Sequence, residues 1–217
     1  MQESTSKEKM LKKIRKALMY KSDTDYSNLD FSSPIYKAAE DSLEITFAQK
    51  FSALNGKFIF CENESEFLEN FSFLIKDNNW TNVFCFEPSL KNLLKKESIL
   101  FSDVTENISE AKIGLTTCEC LVARTGSVLV SSRQASGRRL PFYSEVHLVV
   151  AYSSQLVYTM KEALKNISAK YENRLPSMIT AISGVSSTSD IEKTLIQGAH
   201  GPREIFVFLI DDITSQS

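Results

Sequence analysis

Ser183-Gly-Val-Ser-Ser-Thr-Ser-Asp-Ile-Glu-Lys-Thr-Leu-Ile-Gln-Gly-Ala-His-Gly-Pro-Arg-Glu204 is the stretch on which a fold can be read. Met178–Ile182 before it and Ile205–Ile210 after it are short apolar runs that read as buried strands. Between them, a helix from Asp190 to Gln197 would place Ile191, Leu195 and Ile196 on one face. The spacing predicts a βαβ unit with parallel strands and a right-handed crossover. Gly184 permits a tight turn, and the amides after it would lead into a helix N-terminus, where free N–H groups and the helix dipole favour an anion. Ser183, Ser186, Ser187 and Thr188 add hydroxyls. The same residues also fit a plain, well-capped turn, with Ser189 and Glu192 as a capping box and Asp190 in the first helical turn. Both readings stand at this point.

Working outward, strand-like and helix-like segments alternate. A helix from Glu40 to Leu54 ends at Asn55-Gly56, followed by a strand at Lys57–Cys61 and a helix at Glu64–Lys76. A strand at Asn82–Phe86, a helix from Pro88 to Lys95 and a strand at Ser98–Phe101 come next. Such alternation indicates an α/β fold, a Rossmann-like parallel sheet flanked by helices. In the middle, Cys120–Ala123 and Val128–Ser131 around Thr125-Gly126-Ser127 suggest a hairpin. His147–Tyr152 reads as a strand and Gln155–Ala169 as a helix. The organisation expected is 1–37 as an N-terminal basic helix and flexible arm, and 38–217 as a single α/β domain. The basic helix, Lys9 to Tyr20, is short and lacks an aromatic-rich apolar face, which favours docking on the body or a partner chain over a membrane-surface role.

A chain of 217 residues with 42% hydrophobic and 24% charged content suits one globular domain. A net charge of -2 argues against a general nucleic-acid binder. Cys61 and Cys85 sit in apolar runs, and Cys118-Glu-Cys120 is not the CxxC of redox or zinc sites, so no metal is expected. With no signal peptide and no apolar run long enough to span a bilayer, a reduced, cytoplasmic protein is expected.

Three glycine turns carry the candidate chemistry: Arg124-Thr-Gly-Ser127, Ser136-Gly-Arg-Arg139 and Ser183-Gly-Val-Ser186. Their hydroxyls, amides and guanidinium groups suit a phosphate or carboxylate. The expected anion-binding set is Thr125, Gly126, Ser127, Arg138, Ser183, Gly184, Ser186, Ser187 and Thr188. Accessory contacts would come from Arg124, Arg133, His147, Asp190, Glu192 and Arg203. His200, on a glycine-rich turn, is the candidate for proton transfer, and equally a helix C-cap. His147 at the start of a strand reads as a structural hydrogen-bonding residue. Nucleotide-binding, zinc-protease and hydrolase-elbow motifs are missing.

Ser183-Gly-x-Ser-x-Thr-x-Asp-Ile-Glu192 with Gly198-x-His-Gly-Pro202 closely resembles the lactate utilisation (LUD-domain) family, and within it the protein C group. Ala123-x-Thr-Gly-Ser127, Gly137-Arg138 with His147-Leu148, and Ile14-Arg15-x-x-Leu18 match further family motifs. The family usually has Glu where Arg124 stands, and Pro where Val185 and Ser144 stand. The resemblance implies a fold similar to the NagB/RpiA/CoA-transferase-like group with an added β subregion. It also implies an accessory role in L-lactate oxidation, docking with iron–sulfur and cysteine-rich partner subunits. No cofactor is expected on this chain, the iron–sulfur clusters belonging to the partners. Alternatives are a self-contained enzyme on a phosphosugar, CoA ester or folate-like substrate, or a non-catalytic interaction module. Catalysis by this chain and homo-oligomerisation are left open.

Overall fold

The computed structural model describes residues 5–19, 36, 41–189, 195–197 and 201–213, of which 187–189 and 195–197 are described by backbone alone. The chain divides into two compact units, Met1–Ala38 and Ala39–Ser217. In the first, α1 (Ser6–Met19) opens with a reciprocal cap between Thr5 and Glu8 and has no buried side chain.

The second unit is built on a parallel five-stranded sheet. Its strands are β1 (Lys57–Cys61), β2 (Val83–Cys85), β3 (Ile113–Thr117), β6 (Val146–Tyr152) and β11 (Glu204–Ile210), in the order β1-β11-β6-β3-β2. The central strands β6 and β11 are almost continuously apolar because both their faces are covered. On one face, Phe67 and Phe71 of α3 (Glu64–Asp77) and Leu90, Leu93 and Leu94 of α4 (Pro88–Lys96) pack against Leu148, Val150 and Phe208. Phe67 and Phe71 meet the Phe208 ring edge-on, at centroid distances of 5.2 and 6.2 Å. On the other face, Phe47 and Phe51 of α2 (Leu43–Ala53) pack with Val149, Ala151, Val207 and Leu209.

A second sheet completes that layer. It comprises β4 (Cys120–Val122), β5 (Ser127–Ser131), β7 (Leu156–Val157) and β8 (Ile179–Ile182), in the order β7-β4-β5-β8. Leu121, Val128 and Val130 face the main sheet, while Cys120, Val122 and Leu129 face Ala163 and Ile167 of α5 (Met160–Lys170). The alternation along β4 and β5 thus serves two cores at once. The fold is α/β, a parallel sheet flanked by helices with an added β region. Among the described residues, no helix is long and apolar enough to cross a membrane.

The decisive stretch folds differently from its prediction. β8 pairs antiparallel with β5 in the second sheet, whereas β11 lies in the main sheet. The two strands therefore do not form a βαβ unit. Leu195–Gln197, expected in a helix, is a strand (β10) pairing antiparallel with β9 (Ser187–Ser189). Leu195, Ile196 and Gln197 pair with Ser189, Thr188 and Ser187, and a short isolated helix is marginal without packing, so strand pairing prevails. Asp190–Thr194 lie outside the described residues. Ser98–Phe101, expected as a strand, forms none, and the single bridge nearby joins Phe84 to Ser102 just after it. The helix predicted from Gln155 starts at Met160, because the Gln155 side chain is occupied by the Tyr152 amide and the Cys118 carbonyl. A capping box between Thr159 and Glu162 then sets the start.

Candidate functional site

Antiparallel pairing of Val128 with Ile182 brings Ser127, at the start of β5, beside Ser183, just past β8. Ser127 Oγ donates to Thr125 Oγ1 at 2.8 Å, and Ser183 Oγ lies 2.7 Å from it. Ser127 is buried and Ser183 exposed, so the hydroxyl chain runs from the interior to solvent. Gly126 (φ 58°) and Gly184 (φ 82°) both lie against the last turn of α2. A Cβ on Gly126 would fall 2.6 Å from Lys50 C and Phe51 N, and one on Gly184 2.2 Å from Leu54 O. These two turns are therefore moulded to a helix C-terminus, whose carbonyls attract donors rather than anions. The Ser186 amide is occupied by Pro202 O at 3.1 Å. Ser187 and Thr188 lie on β9, and the helix N-terminus expected just after them, at Asp190, lies outside the described residues.

Arg138 does not join this group. Its Nη2 donates to Ser177 Oγ at 2.5 Å, and Ser177 Oγ lies 3.0 Å from Ser132 Oγ, beyond the opposite end of β5. β5 alone separates the two places by roughly 13 Å at ~3.3 Å per residue. A single cradle of three glycine turns is thus not formed. What forms is a hydroxyl chain at one end of β5 and a cationic cluster at the other. In that cluster Arg133 Nη2 donates to Arg174 O at 3.4 Å and its guanidinium lies 5.4 Å from the Tyr171 ring centre.

The cationic loop is held from below. Glu87, at the end of β2, accepts from the Ala135 and Ser136 amides at 3.2 and 3.1 Å. Gln134 accepts from the Ser131 amide and donates to Thr117 Oγ1 at the end of β3. The loop therefore sits over the carboxyl ends of two parallel strands, where ligands of open α/β sheets bind.

Sequence reasoning passes over Glu119. It is buried, accepts from Ser131 Oγ at 2.6 Å and Tyr171 OH at 2.7 Å, and pairs with Lys170 Nζ at 2.7 Å. Burial alone would raise its pKa, but the hydrogen bonds from Lys170, Ser131 and Tyr171 outweigh it and hold the carboxyl below the usual range. The signal in the sequence is a carboxylate set inside an apolar strand pattern, where its flanking cysteines draw the eye first. Glu119→Gln should lower stability by about 2 kcal/mol, the scale of hydrogen bonds to a charged group with a half-exposed partner. Thermal unfolding at neutral pH measures this. The loss should vanish at acid pH, since a carboxyl with a lowered pKa contributes above its unfolded value and ceases to as pH falls through its folded one.

The remaining candidates are dispersed. His147 is buried, with Nε2 2.8 Å from Thr116 Oγ1, and burial pushes its pKa down to about 3. It is neutral at physiological pH and is no proton acceptor there. Arg124 follows β4, and its amide donates to Tyr158 O at 3.1 Å. Arg203 is exposed, its amide donating to Glu145 O at 2.8 Å. Asp190, Glu192 and His200 lie outside the described residues. All four cysteines are buried free thiols. Burial raises each of their pKa values, to about 12 for Cys85 and about 11 for Cys120. Cys61 and Cys85 belong to one core cluster, Cys118 to a second and Cys120 to a third. Among the described residues no group of His, Cys, Asp or Glu is placed to hold a metal ion.

Comparison with known proteins places this architecture. The lactate utilization protein C of Shouchella clausii is 33% identical over 140 residues, covering 61% of each chain. That of Deinococcus radiodurans is 33% identical over 104 residues, 48% of each. The chain thus spans about half to three-fifths of the length of these relatives. A crystal structure of a DUF162 family protein from Deinococcus radiodurans shares the fold with a TM-score of 0.58 at 16% identity, over 80% of this chain and 99% of that one. The model of the LUD domain matches residues 45–210, and the chain belongs to the LUD-domain family.

Proposed function

We propose that this protein is an accessory subunit of an L-lactate oxidation system, binding an anionic small molecule and docking with iron–sulfur partner subunits. The observation that carries this reading is the 33% identity, over 61% of the chain, to a lactate utilization protein C. The thiol chemistry supports it. Cluster ligation needs convergent thiolates, and four buried thiols with raised pKa values in three separate core clusters do not supply them. Electron transfer then falls to the partners. Carboxylate recognition fits Arg133 and Arg138 with the Ser132 and Ser177 hydroxyls, since a guanidinium grips a carboxylate in a planar fork. The exposed Ser183 hydroxyl offers a second polar contact at the far end of β5.

The test is reconstitution. L-lactate-dependent reduction of an acceptor dye is measured for iron–sulfur lactate-utilisation subunits with and without this chain. Full activity should require the chain, and Arg138→Ala should weaken lactate dependence by roughly tenfold or more, the scale of one charged contact. Undiminished activity without the chain, or lactate turnover by the chain alone, would overturn the assignment.

A further inference from the structure

Helix α1 is amphipathic, and the proposed function gives it no role. Met10, Leu11, Ile14, Ala17 and Leu18 fall on one side at helical spacing, and Met10, Ile14 and Leu18 are 63%, 48% and 74% exposed. The rest of the helix carries Lys7, Lys9, Lys12, Lys13, Arg15 and Lys16 against a single acid, Glu8. Fourteen residues are marginal for a helix standing alone in water, so a surface that covers the stripe is needed to hold it.

We infer that α1 is an in-plane docking helix for an anionic lipid surface. Charge complementarity selects this occupant over the docking on the body or a partner chain that the helix's length and missing aromatic face favour in the sequence. A protein groove needs apolar fit along the stripe and is indifferent to the sign of charges on the opposite, solvated face. A bilayer bearing anionic headgroups is attracted to all six cations at once, and long lysine and arginine stems let the charges reach phosphate while the stripe enters the acyl boundary. The chain as a whole carries a net charge of -2, so the basic character of α1 is local.

The test is co-sedimentation of the full-length protein with vesicles of phosphatidylcholine containing phosphatidylglycerol, against phosphatidylcholine alone. Binding is expected to the anionic vesicles only and to fall with added salt. The triple variant Lys12→Glu, Lys13→Glu, Lys16→Glu should weaken it by at least roughly a hundredfold, at roughly fivefold per cation. Ile14→Gln with Leu18→Gln, which keeps every charge, should release the protein as well. Circular dichroism and thermal unfolding confirm that both variants retain the folded body. Sedimentation with neither vesicle, or equally with both, would overturn the inference. So would binding that survives the α1 variants and is lost with Arg133→Gln and Arg138→Gln, which would assign it to the body. An α1 that ignores vesicles but is needed to retain an iron–sulfur partner would be a protein-docking helix instead. Vesicle binding and partner reconstitution are read separately, so either can fail alone.

Discussion

Acidification should destabilise this protein before its carboxylates are protonated. His147 sits on β6 with its ring buried among apolar residues, Nε2 against Thr116 and Nδ1 without a hydrogen-bond partner. Its pKa is pushed from 6.5 down to about 3, because burial penalises the imidazolium. The unfolded chain therefore takes up the proton first. Stability from this group is complete above pH 6.5 and erodes as pH falls toward 3. The loss reaches roughly 5 kcal/mol at the lower end and roughly 3 kcal/mol by pH 4.5, since each pH unit below the unfolded pKa costs ~1.4 kcal/mol. Glu119 acts in the same direction only below its unfolded value of 4.5, so the window between isolates the histidine. Urea midpoints measured across pH 7 to 4.5 should fall for the native chain and stay nearly flat for His147→Gln, which keeps a polar partner for Thr116. Parallel slopes for the two proteins would show that His147 is not the group responsible.

Among the described glycines, Gly184→Ala should be the most damaging substitution by alanine. At φ 82° an L side chain is strained, and its Cβ would stand 2.2 Å from the Leu54 carbonyl oxygen, a backbone atom at the end of α2 that cannot turn aside. The left-handed backbone costs about 1–2 kcal/mol and overpacking about 1–3 kcal/mol, or roughly 2–5 kcal/mol together. For a chain of this size that lowers Tm by roughly 5–15 °C. Gly137→Ala supplies the control, since Gly137 has φ 60° but nothing within 4 Å of the added Cβ. It should show the strain alone, about 1–2 kcal/mol. Equal losses at the two positions would mean that close approach to α2 is not what Gly184 provides.

The proposed division of labour has a chemical consequence. The cationic loop is rigid, because a buried carboxylate from the end of β2 and a glutamine bridging to β3 fix its backbone. Arg133 and Arg138 are exposed on that support. A guanidinium pair on a fixed loop over strand ends can receive a carboxylate with little reorganisation, which is the condition under which charged contacts contribute most to recognition.

Much of the fold is written locally. The nearly unbroken apolar runs of β6 and β11 announce strands covered on both faces, and period-two apolar positions with glycine between them announce the β4–β5 hairpin. Ser42, Asn63 and Thr159 cap helices through their own side chains, so those starts follow from residues within one turn. The family motifs lie in contiguous residues and are legible for that reason. Tertiary structure decided the rest. β8 joins β5 and not β11, because strand choice depends on which distant edge is open, and no nearby residue encodes that. Ser187–Ser189 and Leu195–Gln197 become a strand pair because a short helix is marginal without tertiary packing to sustain it. Gly126 and Gly184 serve the end of α2, far away in the chain, and Glu119 finds Lys170 and Tyr171 more than fifty residues away. Contacts of that sequence separation are set by packing, so the separation of Arg138 from the two glycines became visible only once β5 stood between them.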